Sequence, residues 1–148
     1  MKSKFVFAIA IFMSLTSSAS VILRTQGAIN GGQARQRGFS LKDVRLELSP
    51  KSHFERISFE IGDQALKQNM GSPGYFHVEN NPKSKIITIS FTQTLGSAID
   101  AKNLKQKLEK SYFIKNAEML VDTRAHLTKL ILHLMQPVSL KCYLIPFQ

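Results

Sequence analysis

The chain has 148 residues and a formal net charge of +10, from 20 lysines and arginines against 10 aspartates and glutamates. That length suits one domain with a single core, and the charge favours anionic partners such as wall polymers, lipid head groups or nucleic acid. Nucleic acid is disfavoured because the basic residues are spread through every segment and tryptophan is absent, which leaves no basic stripe with stacking aromatics.

The N-terminus has the pattern of a secretory signal peptide. Lys2 and Lys4 precede an apolar run at 5–13, and small residues follow at 16–20. The run is too short to span a bilayer, and no later apolar segment reaches that length. We therefore expect 1–20 to be removed, no transmembrane segment to remain, and the mature protein to be periplasmic or secreted. The alternative is an N-terminal helix that stays in the membrane, since serine is less usual than alanine at the cleavage-site positions.

Residues 21–41 are predicted to be a flexible basic N-terminal arm. The segment is rich in glycine, glutamine and arginine, above all at 31–38, and has little that could pack against itself. A solvated connection to the first strand is the simpler interpretation, and a tether to an anionic surface is the other. The folded domain is therefore expected to span 42–148.

From Lys42 onward the sequence alternates with a period of two, which is typical of half-buried strands. Apolar residues alternate at 44–48 and at 57–61, with turn residues at 49–52 between them, so a first hairpin is predicted. Further strands are predicted at 75–79, 86–91, 114–121, 127–135 and 138–147, the first two joined as a hairpin across Asn80-Asn81-Pro82.

A short amphipathic helix is predicted after the second hairpin. Ser97 and Asp100 have the spacing of a capping box, and apolar residues follow at helical intervals at Ala101, Leu104, Leu108 and Tyr112. The outer face of the helix carries a basic patch made of Lys102, Lys105, Lys107 and Lys110. This patch is a candidate anion-binding surface, although a solvated helix face explains such a run as well.

Together these segments give about seven short strands and one helix, with turn signals at roughly the spacing seen in β-sandwiches. The predicted fold class is mostly β. We expect a small two-sheet β-sandwich with one short amphipathic helix, rather than a parallel α/β fold.

Residues that could carry catalysis or bind a metal are sparse. His126 and His133 have an odd spacing on one predicted strand, which places them on opposite faces, and His53 and His77 stand alone. Because Cys142 is the only cysteine, the chain cannot form an internal disulfide, and the apolar neighbours of Cys142 predict a buried core thiol. No phosphate-binding loop, nucleophile elbow, zinc spacing or EF-hand loop is present. We therefore expect no enzyme activity, no metal site and no cofactor.

The stretch 75–89 runs from Tyr75-Phe76-His77-Val78 through Asn81-Pro82 and Lys85 to the aliphatic residues 86–89. It resembles the central signature of the AMIN domain, in which an aromatic strand runs into Asn-Pro, a basic residue and an aliphatic strand. The flanking strands are also similar to that family, so the resemblance covers roughly 42–147. The family commonly has arginine and aspartate around the aliphatic strand, where this chain has Lys85 and Ser90.

The resemblance implies a β-sandwich of two small sheets, found in periplasmic parts of cell-wall amidases and secretin channels, where it localises the protein by binding peptidoglycan. By position, Asn81, Pro82 and Lys85 are the ligand-binding candidates, and Asn81-Pro82 also suits a turn. We expect an exported, non-enzymatic module that binds peptidoglycan or another anionic wall polymer through a polar sheet face. The alternative is a structural or assembly protein that docks by a strand edge onto an envelope protein complex. Its candidate apolar contacts are Ile131, Met135 and the terminal Ile145-Pro146-Phe147, although a sandwich often places such residues in a second small core.

Overall fold

The structure is a computed structural model of the chain and describes residues 6–12, 21–32, 38–49, 51, 54–62 and 75–145. Within these ranges it contains eleven strands and one helix, α1 (Ala101–Leu108). The strands are β1 (Val6–Phe12), β2 (Val21–Arg24), β3 (Gly27–Gly31), β4 (Phe39–Ser49), β5 (Phe54–Gly62), β6 (Phe76–Asn81), β7 (Ile86–Thr92), β8 (Thr94–Ser97), β9 (Ile114–Asp122), β10 (Leu127–Leu134) and β11 (Ser139–Ile145).

The strands form two sheets. One sheet has six strands in the order β2-β11-β1-β5-β4-β8, and the other has five in the order β3-β6-β7-β10-β9. Strand β1 runs parallel to both β11 and β5, and β4 runs parallel to β8, whereas the other neighbours are antiparallel. Strand β9 is therefore an edge strand of the five-stranded sheet.

Both predicted hairpins are confirmed. Strand β4 pairs with β5 so that Val44 lies opposite Phe59, and β6 pairs with β7 so that Val78 lies opposite Ile89. All four side chains are buried, and such cross-strand pairs of β-branched and aromatic residues stabilise a sheet. Pro50 and Ser52 of the first predicted turn lie outside the described residues.

The core lies between the two sheets. Phe59 of β5 and Phe91 of β7 are fully buried, and their ring centroids are 5.7 Å apart. The buried hydroxyls of Thr94 and Thr128 form a hydrogen bond of 3.0 Å between the sheets, from β10 to β8. Cys142 of β11 is also buried, as its apolar neighbours predict. The predicted class, a mostly-β two-sheet sandwich with one short helix, is confirmed.

The predicted number of about seven strands is too low. The described residues contain eleven strands, and nine of these come after Thr25. The segment expected to be a flexible arm contains β2, β3 and the first residues of β4, so that expectation does not hold at these positions. Ile29 of β3 is buried, and β3 pairs with β6. A partner strand far along the chain supplies the hydrogen bonds that the local composition does not predict. Residues 33–37 of the expected arm lie outside the described residues.

The apolar run of the predicted signal peptide forms β1 and lies in the middle of the six-stranded sheet. Its residues Val6 to Phe12 pair one by one with Ser139 to Ile145 of β11. The predicted cleavage site at 16–20 lies outside the described residues, and removal of the leader stays a prediction.

Helix α1 is present, but its cap differs from the predicted one. Asp100 is the N-cap residue: its Oδ1 accepts a hydrogen bond of 2.7 Å from the backbone nitrogen of Asn103, whose side chain accepts one in return. Ser97 lies instead at the end of β8, where its Oγ bonds to the backbone of Ile99. A capping box needs its first residue directly before the helix, and both Ser97 and Asp100 are followed three residues later by a polar side chain, so the sequence offers two registers.

The helix ends at Leu108, earlier than the predicted apolar stripe. Leu104 and Leu108 are buried as predicted, whereas Tyr112 lies beyond the helix with 56% of its surface exposed. Among the described residues, no helix is long and apolar enough to cross a membrane.

Candidate functional site: a basic groove beside helix α1

A groove of about 430 Å³ lies between helix α1 and strand β9. Its volume is within the range of small-ligand sites. We call it the α1–β9 groove. Its lining residues come from α1, from the first turn after it, from the start of β9 and from the residue after β10: Lys102, Lys105, Gln106, Leu108, Glu109, Ile114, Lys115, Asn116, Ala117 and Met135.

Helical spacing and an edge strand build this groove. Leu104 and Leu108 are buried and hold α1 against the sandwich, so positions 102, 105, 106 and 109 share the neighbouring face of the helix. In the part of the chain that the structure describes, no further strand lies beyond β9 in its sheet. Its buried residues Ile114 and Ala117 supply the apolar part of the lining.

The groove is electropositive. Lys102, Lys105 and Lys115 line it and are exposed, against a single carboxylate, Glu109. Among the described residues, none of these three lysines forms an ion pair. Their charges are therefore available to an anionic ligand.

The structure divides the predicted basic patch. Lys102 and Lys105 line the groove, whereas the Nζ atom of Lys107 lies 2.6 Å from Oδ1 of Asp43 on β4. Lys110 follows the helix, is exposed and is not part of the groove lining. Lys115, which the sequence analysis missed because it lies on the next strand, completes the set of three.

Asp43 fixes the helix to the six-stranded sheet. Besides Lys107, it accepts hydrogen bonds from the backbone nitrogen of Val44 at 2.8 Å and from Nε of Arg45 at 3.1 Å. Burial alone would raise the pKa of Asp43, but the hydrogen bonds from Lys107, Arg45 and Val44 outweigh it and lower that pKa. Lys107 therefore differs from the three groove lysines in having an acidic partner among the described residues.

Of the three candidates from the family resemblance, only Lys85 lies beside the groove. Its Nζ atom is 3.5 Å from the carbonyl oxygen of Met135, a groove residue that is 53% exposed. Lys85 has a positive φ of 57°, and its own carbonyl accepts a hydrogen bond of 2.8 Å from the backbone of Leu134. Asn81 is the last residue of β6 and Pro82 begins the β6–β7 turn, into which Oδ1 of Asn81 reaches to accept a hydrogen bond of 3.2 Å from the backbone nitrogen of Ser84.

A buried carboxylate, Glu55 of β5, supports the start of β9 and was missed by the sequence analysis. Its Oε2 atom accepts a hydrogen bond of 2.5 Å from Oγ of Ser111, and its Oε1 atom accepts one from the backbone nitrogen of Tyr112. The Ser111 hydroxyl in turn accepts a hydrogen bond of 2.8 Å from the backbone nitrogen of Ile114, a groove residue. Burial raises the pKa of Glu55, and these hydrogen bonds act in the opposite direction without cancelling the effect.

None of the described histidines is among the groove-lining residues. His77 bonds to Asn30 at 2.6 Å, and His133 bonds to Glu118 at 2.7 Å. His126 lies in the turn before β10 with a positive φ of 51°, so the prediction that it shares a strand with His133 is wrong. His53 lies outside the described residues. Across the described ranges, no three histidine, cysteine or acidic side chains come together as a metal site.

Comparisons with known proteins give no match. No protein-family model matches the chain, and neither a curated protein nor a solved structure is significantly similar to it. Function is therefore inferred from the groove and its charges.

Proposed function

We propose that this chain is an exported, non-enzymatic envelope module that binds peptidoglycan or another anionic wall polymer through the α1–β9 groove. The observation that carries this proposal is the set of three groove lysines, Lys102, Lys105 and Lys115, which form no ion pair among the described residues. The leader pattern and the AMIN-like stretch support the same compartment and ligand class. Lys85, the basic residue of that stretch, lies at the Met135 end of the same groove.

The chemistry of the groove suits a ligand with both anionic and apolar parts. Peptide stems of peptidoglycan carry free carboxylates, which exposed ammonium groups attract. Ile114, Ala117 and Met135 offer apolar contact to the uncharged parts of such a polymer. One exposed ion pair contributes at most about 1 kcal/mol, so retention needs several lysines acting together and repeated sites along one polymer.

Binding to purified sacculi tests the proposal. In the triple variant Lys102→Gln/Lys105→Gln/Lys115→Gln, three ion pairs of about 0.5 kcal/mol each are lost, so we expect affinity to fall about tenfold. A matched triple variant, Lys51→Gln/Arg124→Gln/Lys129→Gln, removes the same net charge from positions outside the groove lining. We expect it to retain most of the binding at physiological salt. Equal losses in both variants would refute the groove as the site, and absence of wild-type binding at low salt would refute the wall polymer.

A second candidate, docking of an envelope protein on a strand edge, is favoured by β9. This edge strand leaves Leu120 57% exposed and Val121 37% exposed beyond the part that α1 covers. Of the apolar residues predicted to serve such contacts, Met135 is exposed, whereas Ile131 is half-buried. Main-chain pairing depends little on salt, so a partner retained at high ionic strength and lost in Leu120→Lys would support this function.

A further inference from the structure

Strand β1 occupies the middle of the six-stranded sheet. It pairs in parallel with β11 over seven residues, and its Ala8 and Ile9 pair with Arg56 and Ile57 of β5. Among the described strands, the other neighbour of β11 is β2, with which four residues pair. Strand β1 thus joins β11 to the rest of the sheet.

The same segment is the apolar run of the predicted signal peptide. Its removal on export would leave β2 and β11 on one side of a gap, and β5, β4 and β8 on the other. Because neighbouring strands lie about 4.8 Å apart, the gap would be about 10 Å wide, which is one strand. This inference rests on the proposed function, because export is what removes the leader.

Such a gap exposes both main-chain and apolar groups. Strand β11 would lose the hydrogen-bonding partner along one whole edge, and unpaired strand edges readily pair with another chain. Ile57, Leu140 and Cys142, which flank the gap, are buried in the full chain with at most 6% of their surface exposed. Leaving this region open to water would therefore be unfavourable.

The position of β11 opposes simple closure of the gap. The buried side chain of Asn80 on β6 donates hydrogen bonds to the carbonyl of Val138, directly before β11, at 2.9 Å, and to the carbonyl of Thr25, directly after β2, at 3.0 Å. A shift of β11 by one strand spacing would break these bonds and move Leu140 and Cys142 out of the core. The β2–β11 pair is held at a distance from β5 by the other sheet.

We propose that the gap between β5 and β11 is a strand-acceptor site, which the leader fills before processing and an extended apolar strand of a partner protein fills after it. The chemistry of the occupant is given by β1 itself: seven uncharged residues, β-branched, aromatic or alanine, running parallel to both neighbours. Main-chain hydrogen bonds would supply the affinity, and the apolar pattern would supply the specificity.

The test uses the full chain with a protease recognition sequence placed within residues 13–20. After cutting, we expect the leader to stay bound during gel filtration in native buffer and to be released in mild denaturant. The probe is a synthetic peptide of residues 5–13 with a lysine tail for solubility. The control peptide carries Ile9→Lys, because Ile9 pairs with both Cys142 and Ile57 in the centre of the gap.

Cys142 reports occupancy of the gap. Burial raises the pKa of its thiol to about 11, so labelling by a maleimide is slow in the intact chain. After removal of the leader we expect labelling to become at least tenfold faster. The peptide should restore the slow rate, whereas the Ile9→Lys peptide should not.

Two results would overturn the proposal. An unchanged labelling rate without peptide would show that the gap has closed, and a fast rate in the presence of peptide would show that no strand is accepted. If the processed chain unfolds, Cys142 labelling still tests the proposal. Slow labelling that returns when the peptide is added supports the site, and labelling that stays fast refutes it.

The two proposals can fail separately. Sacculus binding depends on the groove lysines, whereas Cys142 labelling depends on the gap. A chain whose residues 1–20 are not removed in cells would contradict processing, yet the cut chain would still show whether the gap accepts a strand.

Discussion

At the scale of single residues, Glu55 stands out because its carboxylate is fully buried, whereas the other buried polar side chains among the described residues are hydroxyls and one amide. Its orientation follows from the strand period, since position 55 is in phase with the inward residues Ile57, Phe59 and Ile61. The sequence therefore contained a signal for an inward-facing carboxylate. Its partners, Ser111 and the backbone of Tyr112, lie far along the chain, so the hydrogen bonds that make its burial tolerable could not be predicted.

Glu55 makes stability depend on pH. Burial raises its folded-state pKa above the unfolded value near 4.5, so the folded state binds the proton more tightly. This contribution is fully present below pH 4.5 and is lost as pH rises through the raised pKa. In Glu55→Gln the amide cannot titrate, and we expect a loss of about 1–3 kcal/mol at acid pH from the mismatched hydrogen bonds.

The free energy of unfolding of Glu55→Gln should be lower than that of the wild type at pH 4, and this difference should shrink as pH rises to 7.5. Urea unfolding at several pH values measures it, and Glu47→Gln, which removes an exposed carboxylate, is the control. A deficit that stays constant over this range would show that Glu55 does not titrate above the value of the unfolded chain.

Single residues also show why the sequence could not predict which lysines of the basic patch line the groove. Lys105 and Lys107 are both exposed residues of one short helix, and their composition and spacing are equivalent. Only the fold places Asp43 of β4 beside Lys107 and Ile114 of β9 beside the face that carries Lys105. The functional difference between the two lysines is a tertiary property.

Among the elements, those with strong local signals were predicted well. The two hairpins and the last three strands alternate apolar and polar residues, and that pattern depends only on which face is buried. Strands β2, β3 and β8 were missed for the opposite reason. They are four or five residues long, and β3 contains two glycines, so distant partner strands rather than local preference stabilise them.

Helix α1 depends on its N-cap because it has only eight residues. Helices this short are marginal alone, and α1 is held by Leu104, Leu108 and the cap at Asp100. In Asp100→Ala the backbone nitrogen of Asn103 loses its acceptor, and we expect the free energy of unfolding to fall by about 1 kcal/mol. Because α1 forms one wall of the groove, sacculus binding should weaken as well.

Asp100→Ser is the matched control for the cap, since serine is an equally good N-cap residue. It should restore most of the stability and the binding, measured by urea unfolding and by sacculus retention. If Asp100→Ser lost as much as Asp100→Ala, the negative charge rather than the cap would be the stabilising feature.

For the whole molecule, the groove and strand β1 lie in different sheets. The groove is formed by α1 and the edge of the five-stranded sheet, whereas β1, whose removal would open the proposed gap, lies in the middle of the six-stranded sheet. Both depend on long-range pairing, which is why the sequence predicted the class of the fold but neither the groove nor the pairing of residues 6–12 as β1 in the six-stranded sheet. The AMIN resemblance directed attention to Lys85, which lies beside one end of the groove.

The overall positive charge, which is +10 for the full chain and +8 without Lys2 and Lys4, and the groove lysines should act over different distances. Charges spread over the surface attract an anionic polymer at long range, and this attraction is screened beyond about 10 Å at 0.1 M salt. Contacts within the groove are closer than this and are screened less.

We therefore expect the control variant Lys51→Gln/Arg124→Gln/Lys129→Gln to bind sacculi more weakly than the wild type at low salt and almost equally at 0.15 M salt. The groove variant should bind more weakly at both, because it has lost the contacts themselves. Retention measured from low to physiological ionic strength distinguishes these cases, and two variants with superimposable salt curves would mean that net charge alone retains the protein on the wall.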